Sequence, residues 1–103
     1  MKQAAVRQRL RHHEVGLTDE QALEMYRFML MGRKYDERAL LLQRAGKINF
    51  HISGIGQEAA QVGAAFAMVP GTDYFLPYYR DYAMVLALGM TMKELMLSLF
   101  AKA

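Results

Sequence analysis

The chain has 103 residues, of which 53% are apolar, and it carries a formal net charge of +3. This length suits one small domain with a modest core, and the high apolar fraction predicts exposed apolar surface that a partner covers. Residues 1–14 hold four basic residues and one acidic residue, which accounts for the whole excess charge. The neutral remainder lacks the broad basic field that nucleic-acid binding needs. Without cysteine, the chain has no disulfides and no thiolate metal sites.

Residues 1–16 are predicted to form a flexible basic arm, and residues 17–103 a folded portion of one domain. A solvated arm is expected rather than one that contacts nucleic acid or a membrane. No apolar run is long enough to span a membrane, and the arm lacks the serine content of a mitochondrial transit segment, so we expect a cytoplasmic location rather than the mitochondrial matrix. His12 and His13 lie in the arm and His51 is isolated. Because no third ligand follows at a metal-like spacing, no metal site is expected.

The first predicted element is one long helix over residues 19–45. Thr18 and Gln21 form a capping box at its start, and apolar side chains recur at helical spacing along it. Gly46 is a natural C-terminal stop. Gly32 is a weak point that costs about 1 kcal/mol relative to alanine.

The later elements are shorter. A strand is predicted over residues 47–52, where side chains alternate, and a buried strand over residues 73–76. Three further helices are predicted, over residues 57–68, 81–88 and 91–100. The first of them is rich in Ala and Gly, so that another element can approach closely, and the last opens with a second capping box at Thr91 and Glu94. The expected fold is mostly α with one or two short strands. The abrupt end of the last helix suggests a truncated chain or a gene fragment.

Residues 77–81 join two phenols and a guanidinium at the start of a helix. The planar fork of Arg80 matches phosphate geometry, and the hydroxyls of Tyr78 and Tyr79 can donate to the same oxygens. The alternative is an ordinary loop in which Asp81 caps the next helix and Arg80 is solvated.

Two other features carry weaker signals. Phe50 can line an apolar ligand pocket, although a phenylalanine in a strand is more often part of the core. Residues 53–57 place two glycines before a helix, which suits either an anion contact or a plain tight turn. No nucleophile elbow, P-loop or carboxylate pair is present, so no catalytic residue is assigned.

Several motifs occur in a characteristic order: Asp36-Glu37-Arg38, Gly46-Lys47-Ile48, the run from Gly56 to Gly63, Pro77 to Asp81 and Leu86 to Thr91. From about Gly16 to the last residue, the chain resembles the N-terminal part of the E1 alpha subunit of the thiamine diphosphate-dependent 2-oxo acid dehydrogenases. The branched-chain (2-oxoisovalerate) type is the nearest.

The resemblance implies an α/β thiamine diphosphate-binding fold for the complete subunit, with Mg²⁺ beside the cofactor. It implies oxidative decarboxylation of a 2-oxo acid with acyl transfer to lipoyl groups. By the same resemblance, Tyr78, Tyr79 and Arg80 contact the diphosphate end of the cofactor, Tyr79 also approaches the substrate, and Phe50 lines the acyl pocket. The implied partners are an E1 beta subunit, in an alpha2-beta2 heterotetramer, and a lipoyl-bearing E2 component.

The chain also departs from the family. It lacks the Gly-Asp-Gly motif with a downstream Asn that holds the metal, and it lacks the family's catalytic histidines. The expected role is therefore one wall of a site formed between subunits, in a chain that alone neither binds the cofactor tightly nor turns over. A pyruvate or acetoin dehydrogenase fragment and a non-catalytic helical interaction module remain the alternatives, with a nucleic-acid binder that uses the basic arm as a third. The substrate is not fixed by these residues.

Overall fold

A 26-residue helix organises the fold. The computed structural model describes residues 11–102, and in that range the helices are α1 (Arg11–Glu14), α2 (Asp19–Arg44), α3 (Glu58–Phe66), α4 (Tyr82–Ala87) and α5 (Met92–Leu99). Helices α2, α3 and α4 pack against one another. Residues 11–14 of the predicted arm form α1, whereas residues 1–10 lie outside the described range.

Both predicted capping boxes are confirmed. At the start of α2, the Gln21 amide donates to the Thr18 hydroxyl at 3.1 Å, and the Thr18 amide donates to the Gln21 side chain at 2.9 Å. Thr91 and Glu94 form the same reciprocal pair at α5. Gly46 follows α2 with a φ of 71°, the left-handed conformation in which glycine commonly ends a helix. The predicted helix over residues 19–45 is therefore correct to within one residue.

Gly32 is a contact point rather than a weak point of α2. A Cβ placed there would lie 2.8 Å from the Cβ of Ala83, because α4 crosses α2 at this position. The helix continues unbroken through Gly32. On α3, Val62 and Ala65 are buried, but the other Ala and Gly residues of this helix are exposed or face open space, so among its small residues only Ala65 serves the predicted close approach.

The predicted strands are wrong: between residues 11 and 102 there is no strand. Residues 73–76 are not buried, since Tyr74 is 100% and Leu76 95% exposed. Residues 47–52 are irregular, with Ile48 and His51 buried and Phe50 exposed. A strand needs a neighbouring strand to satisfy its backbone, and neither segment has one in the described part of the chain.

The core is small and lies where α2, α4 and α5 meet. Tyr35, Leu86 and Leu95 form its buried centre, and partly buried side chains such as Phe28 and Met96 surround it. Much apolar surface stays exposed, as predicted, and on α2 it consists of Leu and Tyr side chains. No helix within residues 11–102 has the length and apolar character that crossing a membrane requires.

Candidate functional site

A cavity of about 670 Å³ lies between residues 47–52, Tyr79 and α5. Phe50 and Tyr79 both line it, although they are far apart in the sequence. Their side chains are accessible, since Phe50 is 68% and Tyr79 58% exposed. The structure therefore brings together the two residues that were predicted to face the substrate. Tyr78 and Arg80 do not line the cavity but flank Tyr79.

Asp36 on α2 fixes the segment that carries Phe50. Its carboxylate is buried; its Oδ1 lies 2.7 Å from Nε2 of His51, and both of its oxygens accept from the Gly54 amide at 3.2 and 3.1 Å. The Tyr82 hydroxyl adds a 2.7 Å hydrogen bond to the Ile52 carbonyl. A buried carboxylate needs such partners, so these bonds hold the irregular segment between α2 and α4.

Gln61 on α3 fixes the segment that carries Arg80. Its side-chain amide donates to the Arg80 carbonyl at 2.8 Å, and its side-chain oxygen accepts from the Ala83 amide at 3.1 Å. The two segments also touch directly, because a Cβ at Gly54 would lie 2.6 Å from the Arg80 carbonyl oxygen. The relative position of the Phe50 and Tyr79 segments is thus fixed from both helices.

Tyr78, Tyr79 and Arg80 form one cluster. The two phenol rings have centroids 4.2 Å apart, and the Arg80 guanidinium lies 5.6 Å from the centre of the Tyr79 ring. The hydroxyl of Tyr78 and, after it, the charge of Arg80 lower the pKa of Tyr79, whereas the hydroxyl of Tyr79 raises the pKa of Tyr78. Two phenol hydroxyls and one guanidinium, all hydrogen-bond donors, therefore lie side by side.

The alternative role of this cluster as an ordinary loop before a helix fits less well. Asp81 makes no capping hydrogen bond to α4; its carboxylate accepts from the Tyr78 amide at 2.8 Å and closes the turn. Nε of Arg80 is shielded from solvent and has no hydrogen-bond partner within residues 11–102. A buried donor without a partner is costly, and a ligand oxygen would satisfy it.

The glycine-containing junction before α3 is a tight turn. The Gln57 amide donates to the Gly54 carbonyl at 3.0 Å, which closes the turn. The amides that could meet an anion are already occupied: Ile55 donates to the Ser53 hydroxyl and Gly56 to the Glu58 carboxylate. Of the two alternatives for residues 53–57, the structure favours the plain turn.

His51 is the residue of the cavity that the sequence did not reveal. Its side chain is fully buried, its ring stacks on Tyr82 with centroids 5.2 Å apart, and it meets Tyr35 edge-on. Burial raises the pKa of Tyr82, and the charge of Asp36 raises it further. The sequence offered one indication of this pair, the carboxylate of Asp36 on the inner face of α2. No local pattern connects Asp36 with His51, which lies 15 positions later in the chain.

Comparison with known proteins identifies the family of most of the chain. The family model described as dehydrogenase E1 component matches residues 26–103. Over 93 residues the chain is 64% identical to the 2-oxoisovalerate dehydrogenase subunit alpha of Bacillus subtilis (strain 168), a match that covers 90% of this chain and 28% of that relative. Over 78 residues it is 37% identical to the pyruvate dehydrogenase E1 component subunit alpha of Staphylococcus aureus (strain COL), which covers 76% of this chain and 21% of that relative.

No solved structure matches the chain. The chain spans only 28% and 21% of the length of these two relatives. The family match itself covers three quarters of the chain and includes every residue of the Phe50–Arg80 site. The chain therefore belongs to the dehydrogenase E1 component family.

Proposed function

We propose that the chain forms one wall of the thiamine diphosphate and 2-oxo acid site in the E1 alpha subunit of a branched-chain 2-oxo acid dehydrogenase. The observation that carries this proposal is that Phe50 and Tyr79 line the same cavity, with the Arg80 guanidinium beside the Tyr79 ring. The greater identity to the relative named 2-oxoisovalerate dehydrogenase, 64% against 37% for the pyruvate relative, supports the branched-chain type. The complete subunit would have an α/β fold, of which this chain supplies leading helices.

The donors of the cluster fit the diphosphate. The fork of Arg80 matches phosphate oxygens, its Nε has no partner within residues 11–102, and the hydroxyls of Tyr78 and Tyr79 are further donors. On the other side, the apolar side chains of Phe50 and Leu99 fit a branched aliphatic group. Bound thiamine diphosphate supplies the stabilisation of the carbanion. The chain's residues hold the diphosphate and orient the acyl group.

The residues around Arg80 fit the Mg²⁺ ion that accompanies the cofactor less well than they fit the diphosphate. Within residues 11–102, no converging set of carboxylates lies beside Arg80, and Mg²⁺ prefers such oxygen ligands. The groups for Mg²⁺ would lie in the rest of the subunit. The proposed assembly is an alpha2-beta2 heterotetramer in the cytoplasm, whose acyl product passes to the lipoyl group of an E2 component. The isolated chain should not bind thiamine diphosphate and Mg²⁺ tightly, and micromolar binding in a calorimetric titration would contradict this.

A chimera tests the function. The matched segment of the Bacillus subtilis alpha subunit is replaced by this chain, and the subunit is assembled with its beta subunit and assayed with 2-oxoisovalerate. We expect activity, and we expect Arg80→Gln to weaken thiamine diphosphate binding by about 10- to 100-fold, because a hydrogen bond to a charged group contributes roughly 1.5–3 kcal/mol. Arg44→Gln is the matched control, since Arg44 is exposed and does not line the cavity.

Phe50→Ala distinguishes the substrate end of the site from the diphosphate end. It should raise the KM for 2-oxoisovalerate and leave the affinity for thiamine diphosphate unchanged. If Arg80→Gln binds the cofactor as well as the unaltered chimera does, or no worse than Arg44→Gln does, Arg80 does not contact the diphosphate and the proposal fails.

A further inference from the structure

Two imidazoles and one carboxylate converge at the junction of α1 and α2. Nε2 of His12 and Nε2 of His13 each lie 2.7 Å from Oδ1 of Asp19. The three ligand-type atoms all lie within 4.8 Å of one another. The sequence predicts no metal site because no third ligand follows the histidine pair at a metal-like spacing. The fold supplies that third group from the first turn of the next helix.

The turn between the two helices builds this cluster. Gly16, with a φ of 79°, donates its amide to the His13 carbonyl, and the Leu17 amide donates to the His12 carbonyl at 3.0 Å. These bonds form the turn between the two helices, so that α1 contacts α2 and both imidazoles meet Asp19, the first residue of α2. The convergence therefore follows from backbone structure and not only from the rotamers of exposed side chains.

We propose that His12, His13 and Asp19 bind a divalent transition metal ion, with Zn²⁺ as the best match. Zn²⁺ takes imidazole nitrogens at about 2.0–2.1 Å and carboxylate oxygens at about 2.0–2.2 Å, so a tetrahedral site places its ligand atoms about 3.3 Å apart. Each 2.7 Å contact must open by only about 0.6 Å to admit the ion. Such a movement is available because the side chains of His13 and Asp19 are 54% and 66% exposed.

The ligand set distinguishes this ion from the one expected beside thiamine diphosphate. Imidazole suits Zn²⁺, Cu²⁺ and Ni²⁺, whereas Mg²⁺ requires oxygen ligands. Three protein ligands leave a fourth position for water. The site uses none of the residues that line the cavity, so it stands independently of the proposed function.

Titration of the 103-residue chain, prepared without an affinity tag, with Zn²⁺ tests the site. We expect one Zn²⁺ per chain with micromolar affinity by calorimetry. His12→Ala, His13→Ala and Asp19→Asn should each weaken binding by at least about tenfold, since even an outer-shell partner is worth that much. Glu20→Gln is the matched control: Glu20 is an exposed carboxylate in the same helical turn, and it makes no hydrogen bond to His12 or His13. In the proton NMR spectrum, the ring signals of His12 and His13 should shift, and those of the buried His51 should not.

Three results would overturn the proposal. One is the absence of saturable binding. Another is undiminished affinity in Asp19→Asn, which would mean that the histidine pair binds alone. The third is an equal loss in Glu20→Gln, which would indicate diffuse binding to surface carboxylates. The variants should fold, because the α2 capping box belongs to Thr18 and Gln21, and far-UV circular dichroism checks this.

Discussion

Gly32 and Gly63 form a matched pair that tests how α4 packs on α2. Both lie inside helices, so propensity alone predicts that alanine at either position stabilises the chain by about 1 kcal/mol. A Cβ at Gly63 would meet nothing within 4 Å, and Gly63→Ala should deliver that gain. At Gly32 the new Cβ would lie 2.8 Å from the Cβ and 3.2 Å from the backbone Cα of Ala83. Relief requires α4 to move, and overpacking of this kind costs about 1–3 kcal/mol.

The expected result is that Gly32→Ala is less stable than Gly63→Ala by about 1–3 kcal/mol. Urea unfolding followed by far-UV circular dichroism measures both variants, and in thermal unfolding each kcal/mol should shift Tm by about 4–8 °C in a domain of this size. Ala83→Gly removes the clashing Cβ, so the double variant with Gly32→Ala should show a favourable coupling. If Gly32→Ala raises the unfolding midpoint as much as Gly63→Ala does, the close crossing at Ala83 is refuted.

Three other tests concern the cap of α5, an ion pair and a side-chain anchor. Thr91→Ala should destabilise the chain by about 1 kcal/mol in urea unfolding through loss of the α5 cap, whereas Thr72→Ala, at an exposed position without a side-chain bond, should stay within about 0.5 kcal/mol. The hydrogen bond from Arg33 lowers the pKa of Glu58, so this stabilisation is present above the ordinary value of 4.5 and is lost as the pH falls below it. Stability measured between about pH 5 and pH 3 should therefore fall more steeply in the unaltered chain than in Glu58→Gln; parallel curves would contradict the pairing. Gln61→Leu leaves two backbone groups near the start of α4 without partners and should cost about 2 kcal/mol or more by urea unfolding, and a cost below about 0.5 kcal/mol would show that water replaces the anchor.

The features that sequence predicts well here are the local ones. A capping box is specified by two residues three positions apart, and its hydrogen bonds form whatever the rest of the chain does. The helix ends at Thr18, Gly46 and Thr91 were accordingly predictable to within a residue. The proximity of Phe50 and Tyr79, by contrast, was reached through the family resemblance, and the cavity now gives it a physical basis.

The segment over residues 47–52 shows why features that depend on long-range contacts were not predictable from the sequence. Its alternating pattern is typical of a strand, but its backbone has no neighbouring strand to pair with, and its burial is decided by Asp36 on a distant turn of α2. His51 lies inside because it meets that carboxylate, so the order of buried and exposed residues no longer alternates. The prediction for Gly32 was incomplete for the same reason. Helix propensity depends only on the helix that contains Gly32, whereas the role of this glycine depends on its contact with Ala83 in α4.

Two buried polar side chains therefore determine the geometry of the site. The segments that carry Phe50 and Tyr79 contain neither helix nor strand, so no ladder of backbone hydrogen bonds fixes them. Asp36 holds one and Gln61 the other, and both anchors project from helices that pack against each other. A hydrogen bond to a buried carboxylate contributes roughly 1.5–3 kcal/mol, which is a large share of the stability of so small a core. A change at either anchor should therefore shift Phe50 or Tyr79 without removing a side chain of the cavity, because neither Asp36 nor Gln61 lines it.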